Sequence, residues 1–301
     1  MNSDSLYSRL NHAASGRYPP ASPLATFAAA SACPVRALAA PTCPITITED
    51  VRLKIAVCLK RVPDTVAKIT IGSDRKSIDE SGLKFVLNPY DEFAVEEAIA
   101  LKEKAGAGET VAYSVGTDAA QETLRAALAM GIDRAVLLQG PGSPDGLEVA
   151  KALAAELRAG GFDLILCGKL AVDDYNHQVG VMLAELLGLA CISSVAHLAI
   201  ANGAVEAERE IEGGVEVVTC RLPAVLTCDK GLNNPRLPSL KGIMAAKKKP
   251  LESKPATLGP GTVEILGLDY PAERQAGKIV GEGADAVPEL LRLLRTEARV
   301  L

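Results

Sequence analysis

The chain has 301 residues, 48% of them hydrophobic and 23% charged, with a formal net charge of -5, enough for one large domain or two modest ones with a real core. Such a charge gives no global attraction to nucleic acid or to an anionic membrane, and no uninterrupted apolar run is long enough to insert into a bilayer, so neither nucleic acid nor direct membrane insertion is expected. With 4 Phe, 6 Tyr and no Trp, stacking platforms for an aromatic ligand are scarce.

Residues 1–53 stand apart: the first fifty or so are rich in Ala, Ser and Pro and carry Arg9, Arg17 and Arg36 but no Lys. Two readings compete, an organellar transit peptide and a disordered or non-native extension upstream of a start at Val51. The second is preferred because Pro recurs throughout and no clear amphipathic helix is visible. Order is expected from Lys54. Ile55 to Leu59 reads as a buried strand and Lys60 to Asp64 as the loop leaving its carboxyl end, followed by a short β excursion over Val66 to Ile71. In Asn88-Pro89-Tyr90-Asp91-Glu92, Asn suits the N-cap, Pro the first helical position and the acids the first turn. The spacing predicts a helix to about Lys104, with Ala94, Ala98, Leu101 and Ala105 on one face.

Glu109 to Val115 is the next predicted strand, ended by Gly116, and Thr117-Asp118 with Gln121 is a predicted cap for a helix burying Leu124, Ala127, Leu128 and Gly131. Arg134 to Leu138 is strand, Gln139 to Gly146 loop and Leu147 to Leu157 helix. Then comes the central stretch, FDLILCGKLAVDDYNHQVGVM from Phe162 to Met182: a short apolar strand, a polar loop, and helical spacing resuming at Val179. Strand, polar loop and helix start in that order place backbone N–H groups at the carboxyl edge of a sheet, where small anionic ligands bind. The alternation from 54 to 188 predicts a mostly parallel, Rossmann-like twisted α/β sheet with helices on both faces.

Beyond Leu189 the pattern turns to β hairpins over Cys191 to Ile200, Val205 to Ile211 and Val215 to Arg221, with turns at Asn202-Gly203 and Gly213-Gly214. Leu222 to Cys228 is a further buried strand. A Pro-rich span with a cationic end follows over 229–250, and an arm over 251–301 ends in a helix at about Val287 to Ala298 whose leucines need a surface. The expected organisation is therefore an extension to 53, an α/β domain over 54–250 and a C-terminal arm.

Dinucleotide fingerprints, a P-loop lysine motif and G-x-S-x-G are all absent. His177 has no neighbouring Ser or Cys to activate. The seven cysteines (33, 43, 58, 167, 191, 220, 228) form no C-x-x-C, so they read as small core residues of a reducing compartment.

Six segments taken in order carry a resemblance: IAVCLKRVPD, NPYDEFAVEEAIALKEK, QETLRAALAMGIDRA, GKLAVDDYNHQVG, EREIEGGVE and LPAVLTCDKGLNNPRLPSLKGIMAAKKKP. Over essentially 54–301 the chain resembles the β subunit of electron transfer flavoprotein. The resemblance implies an adenine nucleotide alpha hydrolase-like domain that holds AMP without hydrolysing it. It also implies a heterodimer with an α subunit carrying most of the FAD. It would be an electron carrier, not an enzyme, receiving electrons from acyl-CoA and other flavin dehydrogenases and passing them to electron transfer flavoprotein-quinone oxidoreductase. By position, AMP contacts are implied at Cys58, at Asn88, Pro89, Tyr90 and Asp91, and at Val115. Others are implied at Gly168, Lys169, Leu170, Ala171, Val172, Asp173, Asp174, Tyr175, Asn176, His177, Gln178 and Val179. Asp173 and Asp174 are assigned either to ribose hydroxyls or to fixing the loop.

The span 229–250 resembles the family's recognition loop, with Leu240 as the leucine that enters a pocket on the donor and Ile243 and Met244 beside it. Arg236 and Lys247 to Lys249 would steer toward an acidic rim, and Glu210 matches a position near the flavin. Thr65 stands where many relatives place a tyrosine, which argues against direct stacking on FAD. The loop VDDYNHQVG is closer to the AMP-holding group than to the bifurcating group, which binds a second FAD there. Two rivals are a bifurcating homologue and a stand-alone nucleotide sensor of the universal-stress type. The implied compartment is the bacterial cytoplasm, or the mitochondrial matrix if the first fifty residues are a transit peptide.

Overall fold

The computed structural model describes residues 52–142, 144–272 and 276–301, so the expectations about 1–51 lie outside the described residues. Strand β1 (Leu53–Cys58) is buried and central, and it already includes Leu53, paired with Gly108. On its two sides run β4 (Gly108–Gly116) and β6 (Leu164–Gly168), both parallel to it. Beyond them lie β5 (Arg134–Gln139) and β11 (Leu251–Pro255) on one side. On the other are β10 (Ala224–Cys228), β7 (Ala190–Ala201), β8 (Ala204–Ile211) and β9 (Gly214–Arg221). The resulting nine-stranded sheet has the order β11-β5-β4-β1-β6-β10-β7-β8-β9. It is parallel from β11 through β7 and antiparallel only from β7 to β9, so the expected fold class holds.

Helices cover both faces because the central strands are apolar on both sides. Helices α1 (Pro89–Ala105) and α2 (Ala120–Met130) bury Ala94, Val95, Ala98, Leu124, Ala127 and Leu128 against Ile55, Val57 and Leu166. On the opposite face, α3 (Gly146–Leu157) and α4 (Val179–Leu187) bury Ala152, Leu153, Leu157 and Leu183 against Ala56, Val111 and Ile165. Leu124, Leu128 and Leu183 are fully buried, and truncating any of them to Ala removes roughly 2–5 kcal/mol.

Helix α1 follows its sequence signals: Pro89 opens it, Asp91 and Glu92 occupy the first turn, Lys102 and Lys104 the last, and Gly106 ends it at φ 69. Helix α2 does not. The Asp118 carboxylate accepts from the side chains of Gln121 and Gln139 instead of capping, and the helix begins after Ala119 with no side-chain cap.

The expected strand over Val66 to Ile71 is absent. Its place is taken by β2 (Arg61–Pro63), which pairs antiparallel with β3 (Phe85–Leu87), and only an isolated Ile71–Ile78 bridge lies between. Asp64, Asp74 and Asp79 each accept backbone N–H bonds from residues two or three ahead. These local bonds bend the chain in competition with a ladder.

The first hairpin turns at Asn202-Gly203, with φ 52 and 70; the second turns at Glu212-Gly213, one residue earlier than expected, because Gly213 carries the positive φ of 81. The hairpins extend the main sheet as its antiparallel edge. Residues 251–255, placed in the C-terminal arm at sequence level, form the parallel edge strand β11 beside β5. Within the Pro-rich span there is a helix, α5 (Leu240–Ala246), capped by the Ser239 hydroxyl, which accepts from Gly242 N. The arm ends in a 3-10 turn at Ala284–Ala286, helix α6 (Val287–Leu293) and a wider π turn at Leu294–Ala298.

Candidate functional site

Parallel pairing brings Cys58, Val115 and Gly168 to the same carboxyl edge, since Cys58 is level with Tyr113 on one side and Cys167 on the other. The Cys58 side chain points into the core beside Cys167. A hydrogen bond with Cys58, together with burial, pushes the Cys167 thiol well up, which does not suit Cys167 to be a nucleophile. Among the described residues no cluster of His, Cys, Asp and Glu could hold a metal ion.

The edge is organised by Asn88 and Asp91 at the start of α1. Asp91 Oδ2 accepts from Lys60 N at 2.7 Å, and its Oδ1 accepts from Asn88 Nδ2 at 2.9 Å and Gly168 N at 3.1 Å. Asn88 Nδ2 also donates to Leu170 O, while its Oδ1 accepts from Val172 N at 3.1 Å. Two side chains at the start of α1, Asn88 just before it and Asp91 in its first turn, thus clasp the exits of both β1 and β6. The close approach needs glycine at 168, where a Cβ would stand 2.2 Å from Asp91 Oδ1. Burial pushes Asp91 up to about 7, against the pull of its N–H donors and Lys60. Asn88 and Asp91 are therefore committed within the protein, whereas Pro89 and Tyr90 are half-buried beside them.

From Asp173 to Gln178 the loop is exposed. Lys60 Nζ bridges Asp173 at 2.8 Å and Asp174 at 2.9 Å, which ties the loop to the exit of β1. Burial works to lower the Lys60 ammonium, but the hydrogen bonds and charges of Asp173 and Asp174 outweigh it and raise it. Lys169 pairs with Asp229 at 2.7 Å. Tyr175 N donates to Ala171 O and Asn176 N to Asp174 Oδ1, and Tyr175 and His177 both take left-handed backbone at φ 54 and 55. Helix α4 then starts after Gln178 with no side-chain cap. It sits close on β10 because Gly180 faces Thr227, where a Cβ would meet Cγ2 at 2.6 Å.

The helix starts at this edge differ in a way that suits an anion. At α3 the Asp145 side chain accepts from Glu148 N, and bonds from Glu148 N and Thr262 N hold its carboxyl down to about 2. That terminus is closed. At α4 no side chain caps the first turn, so its leading N–H groups lack intrahelical acceptors, whereas at α2 the N–H groups of Ala120, Gln121 and Glu122 already donate to the carbonyls of Thr117, Asp118 and Ala119. Ser114, near the end of β4, has a buried hydroxyl with no partner. Peptide donors, an orphan hydroxyl and lysines already paired to carboxylates fit a mononucleotide phosphate held by N–H groups. The ring-bearing side chains at the loop are Tyr90, Tyr175 and His177, and Thr65 is exposed in its turn.

A second surface lies on α5. Leu240 is 84% exposed and Met244 64%, with Ile243 and Leu237 also exposed. Arg236 is not free for steering. Its guanidinium forks onto Glu96 and Glu103, and those hydrogen bonds raise it further and draw Glu103 down. Lys249 Nζ likewise donates to Leu128 O and Ile132 O at the end of α2, and burial lowers its ammonium. Lys247 and Lys248 remain exposed. Glu210 is exposed on β8, level with the carboxyl edge through the pairs Arg209–Val195 and Val195–Cys228, but β10 and β7 separate it from β6.

Sequence reasoning passed over Lys60, Ser114 and Gly180. Only the last carries a local signal, a glycine in a helix's first turn; the other two acquire meaning from partners far along the chain.

Comparison with known proteins completes the description. The family model "Electron transfer flavoprotein domain" matches residues 76–258. The chain is 42% identical over 267 residues to electron transfer flavoprotein subunit beta of Bacillus subtilis (strain 168), covering 83% of this chain and 100% of that one. It is 40% identical over 253 residues to the protein so named in Bradyrhizobium diazoefficiens, covering 83% and 100%. To that of Homo sapiens it is 38% identical over 251 residues, covering 81% and 98%.

Proposed function

Because the chain belongs to the electron transfer flavoprotein β-subunit family, we propose that it pairs with an α subunit carrying most of one FAD and holds one AMP at the carboxyl edge of its own sheet. It is an electron carrier subunit. It takes electrons from acyl-CoA and other flavin dehydrogenases and delivers them to electron transfer flavoprotein-quinone oxidoreductase. Bound flavin supplies the redox chemistry; this chain supplies position and choice of partner.

The observation that carries the reading is the exposed apolar helix α5 on a pinned base. Leu240, Ile243 and Met244 face solvent, while Arg236, Arg125 and Lys249 tie the segment to α1 and α2 and Ser239 caps α5 from within. An apolar anchor on a fixed support docks with little ordering entropy, and a small contact lets the partner leave after transfer. Lys247 and Lys248 supply what steering there is. In the cradle, the open start of α4 receives the phosphate of AMP, while the loop from Leu170 to Gln178 lies along the nucleoside.

The test is co-expression with the α subunit, extraction of cofactors and transfer kinetics. The heterodimer is expected to release FAD and AMP. Leu240→Ala is expected to slow electron acceptance at least about tenfold with FAD content unchanged; equal rates would remove the anchor role. FAD in place of AMP in the second site would favour a bifurcating subunit. A stable homodimer with no flavoprotein mate would overturn the reading in favour of a nucleotide sensor. The described cysteines are all free thiols, in keeping with a reducing compartment such as a bacterial cytoplasm.

A further inference from the structure

Lys60 follows β1 by two residues and faces two ways. Its peptide N–H donates to Asp91 Oδ2 at 2.7 Å, and its ammonium spans Asp173 and Asp174 on the far side of the cradle at 2.8 and 2.9 Å. Strands β1 and β6 are neighbours in register up to the pair Cys58–Cys167, so the bridge ties the exposed loop to a rigid post. Two adjacent carboxylates repel each other unless a cation lies between them. Lys169 cannot take over, being paired with Asp229. Directly after the aspartates, Tyr175 and His177 hold a left-handed backbone that side chains with a Cβ adopt only under constraint. The outer half of the loop is held by the Lys60 bridge beside two local bonds, Tyr175 N to Ala171 O and Asn176 N to Asp174 Oδ1; the inner half is held separately by Asn88.

We propose that Lys60 is a positioning residue: it latches the loop from Lys169 to Gln178 against the exit of β1 and so keeps the start of α4 in place for an adenylate, without touching the ligand itself. The proposal rests on the adenylate reading above, and its test separates the two.

Wild-type heterodimer is compared with Lys60→Met, Lys60→Arg, the double variant Asp173→Asn/Asp174→Asn and the combined triple variant. Two quantities are measured: hydrogen–deuterium exchange of amides 169–178, and the release rate of N-methylanthraniloyl-AMP. Lys60→Met is expected to speed both about tenfold, and Lys60→Arg to restore them to within about threefold. Adding Lys60→Met to the double variant is expected to change neither further, because the two perturbations break one interaction. Raising salt should speed release from wild type but not from Lys60→Met, since a half-exposed ion pair is screened and a residue that merely supports the fold is not. Should Lys60→Met fail to fold, the double asparagine variant breaks the same latch while keeping side-chain volume, and wild-type exchange in it would overturn the proposal. Wild-type exchange and release in Lys60→Met, or additive effects in the triple variant, would overturn it equally. A wild type that never binds the fluorescent AMP refutes the adenylate reading instead, and loop exchange then decides the latch by itself.

Discussion

Asp91 shows how one side chain can be read correctly from sequence and still do something else. As a first-turn acid it complements the helix start, yet its carboxylate is buried and shared between Lys60 N, Gly168 N and Asn88 Nδ2. Burial raises it from an ordinary 3.8 to about 7. The folded state therefore keeps a proton that the unfolded chain has already released across that interval. The corresponding stability is complete below the unfolded value and is lost as pH rises through about 7, with a slope of at most about 1.4 kcal/mol per pH unit. Denaturant titrations of wild type and Asp91→Asn between pH 5 and 8.5 are expected to show wild type losing roughly 2 kcal/mol relative to the variant by pH 7.5 and little thereafter. A difference that stays flat would mean that the N–H donors, not burial, set the ionisation.

At the scale of the element, α5 is the instructive case. Three prolines between Asn234 and Pro250 and the absence of a repeat argue for irregular chain, but Ser239 caps seven helical residues and Gly242 lets them lie against α2. A Cβ at 242 would stand 2.4 Å from Ala129 O, a backbone atom with no freedom to move aside. Gly242→Ala is therefore expected to lift the helix. Stability should fall by about 1–3 kcal/mol, as for overpacking elsewhere, and electron acceptance from a dehydrogenase should slow, with AMP and FAD content retained. Stopped-flow transfer kinetics beside cofactor extraction would check it, and unchanged transfer would show that α5 need not be held at this height. The cations read as steering groups have the same lesson in them. Arg236 and Lys249 serve the support, because carboxylates of α1 and the carbonyl end of α2 lie within reach; Lys247 and Lys248 do not find partners there.

Across the whole molecule, the sheet changes character along its width, from parallel strands buried on both sides to an antiparallel edge that extends past the helices. The arm crosses the opposite flank. Thr262 N donates to Asp145, Gly259 N bonds Glu148, and Lys76 pairs with Glu264. Past these anchors the arm exposes Leu266, Ile279, Leu290 and Leu291, and only Leu293 of α6 is buried. Isolated exposed leucines need no explanation, but a terminal helix with most of its leucines exposed points to an outside partner. Ending the chain at Ala272 is expected to leave thermal unfolding of the sheet domain within a few degrees of wild type while abolishing co-purification with the α subunit. Retained association would move the partner interface to the antiparallel edge.

Local chemistry was enough to determine the alternation of sheet strands and helices from β1 to α4 apart from the small β2–β3 pair, the signals that open and close α1, the buried faces, and, through six ordered segments, the family. Those features depend on residues within one or two turns of each other, and hydrophobic periodicity records them directly. What only the tertiary structure decided was how polar groups pair over long separations. Asp118 binds Gln139 instead of capping, Asn88 reaches Leu170 and Val172, Arg236 binds Glu96 and Glu103, and Lys60 meets Asp173 and Asp174. A charged or amide side chain is equally content with water, a backbone carbonyl or a distant partner until packing removes the water, so its role follows from which groups the closed sheet brings within 3 Å or so of it.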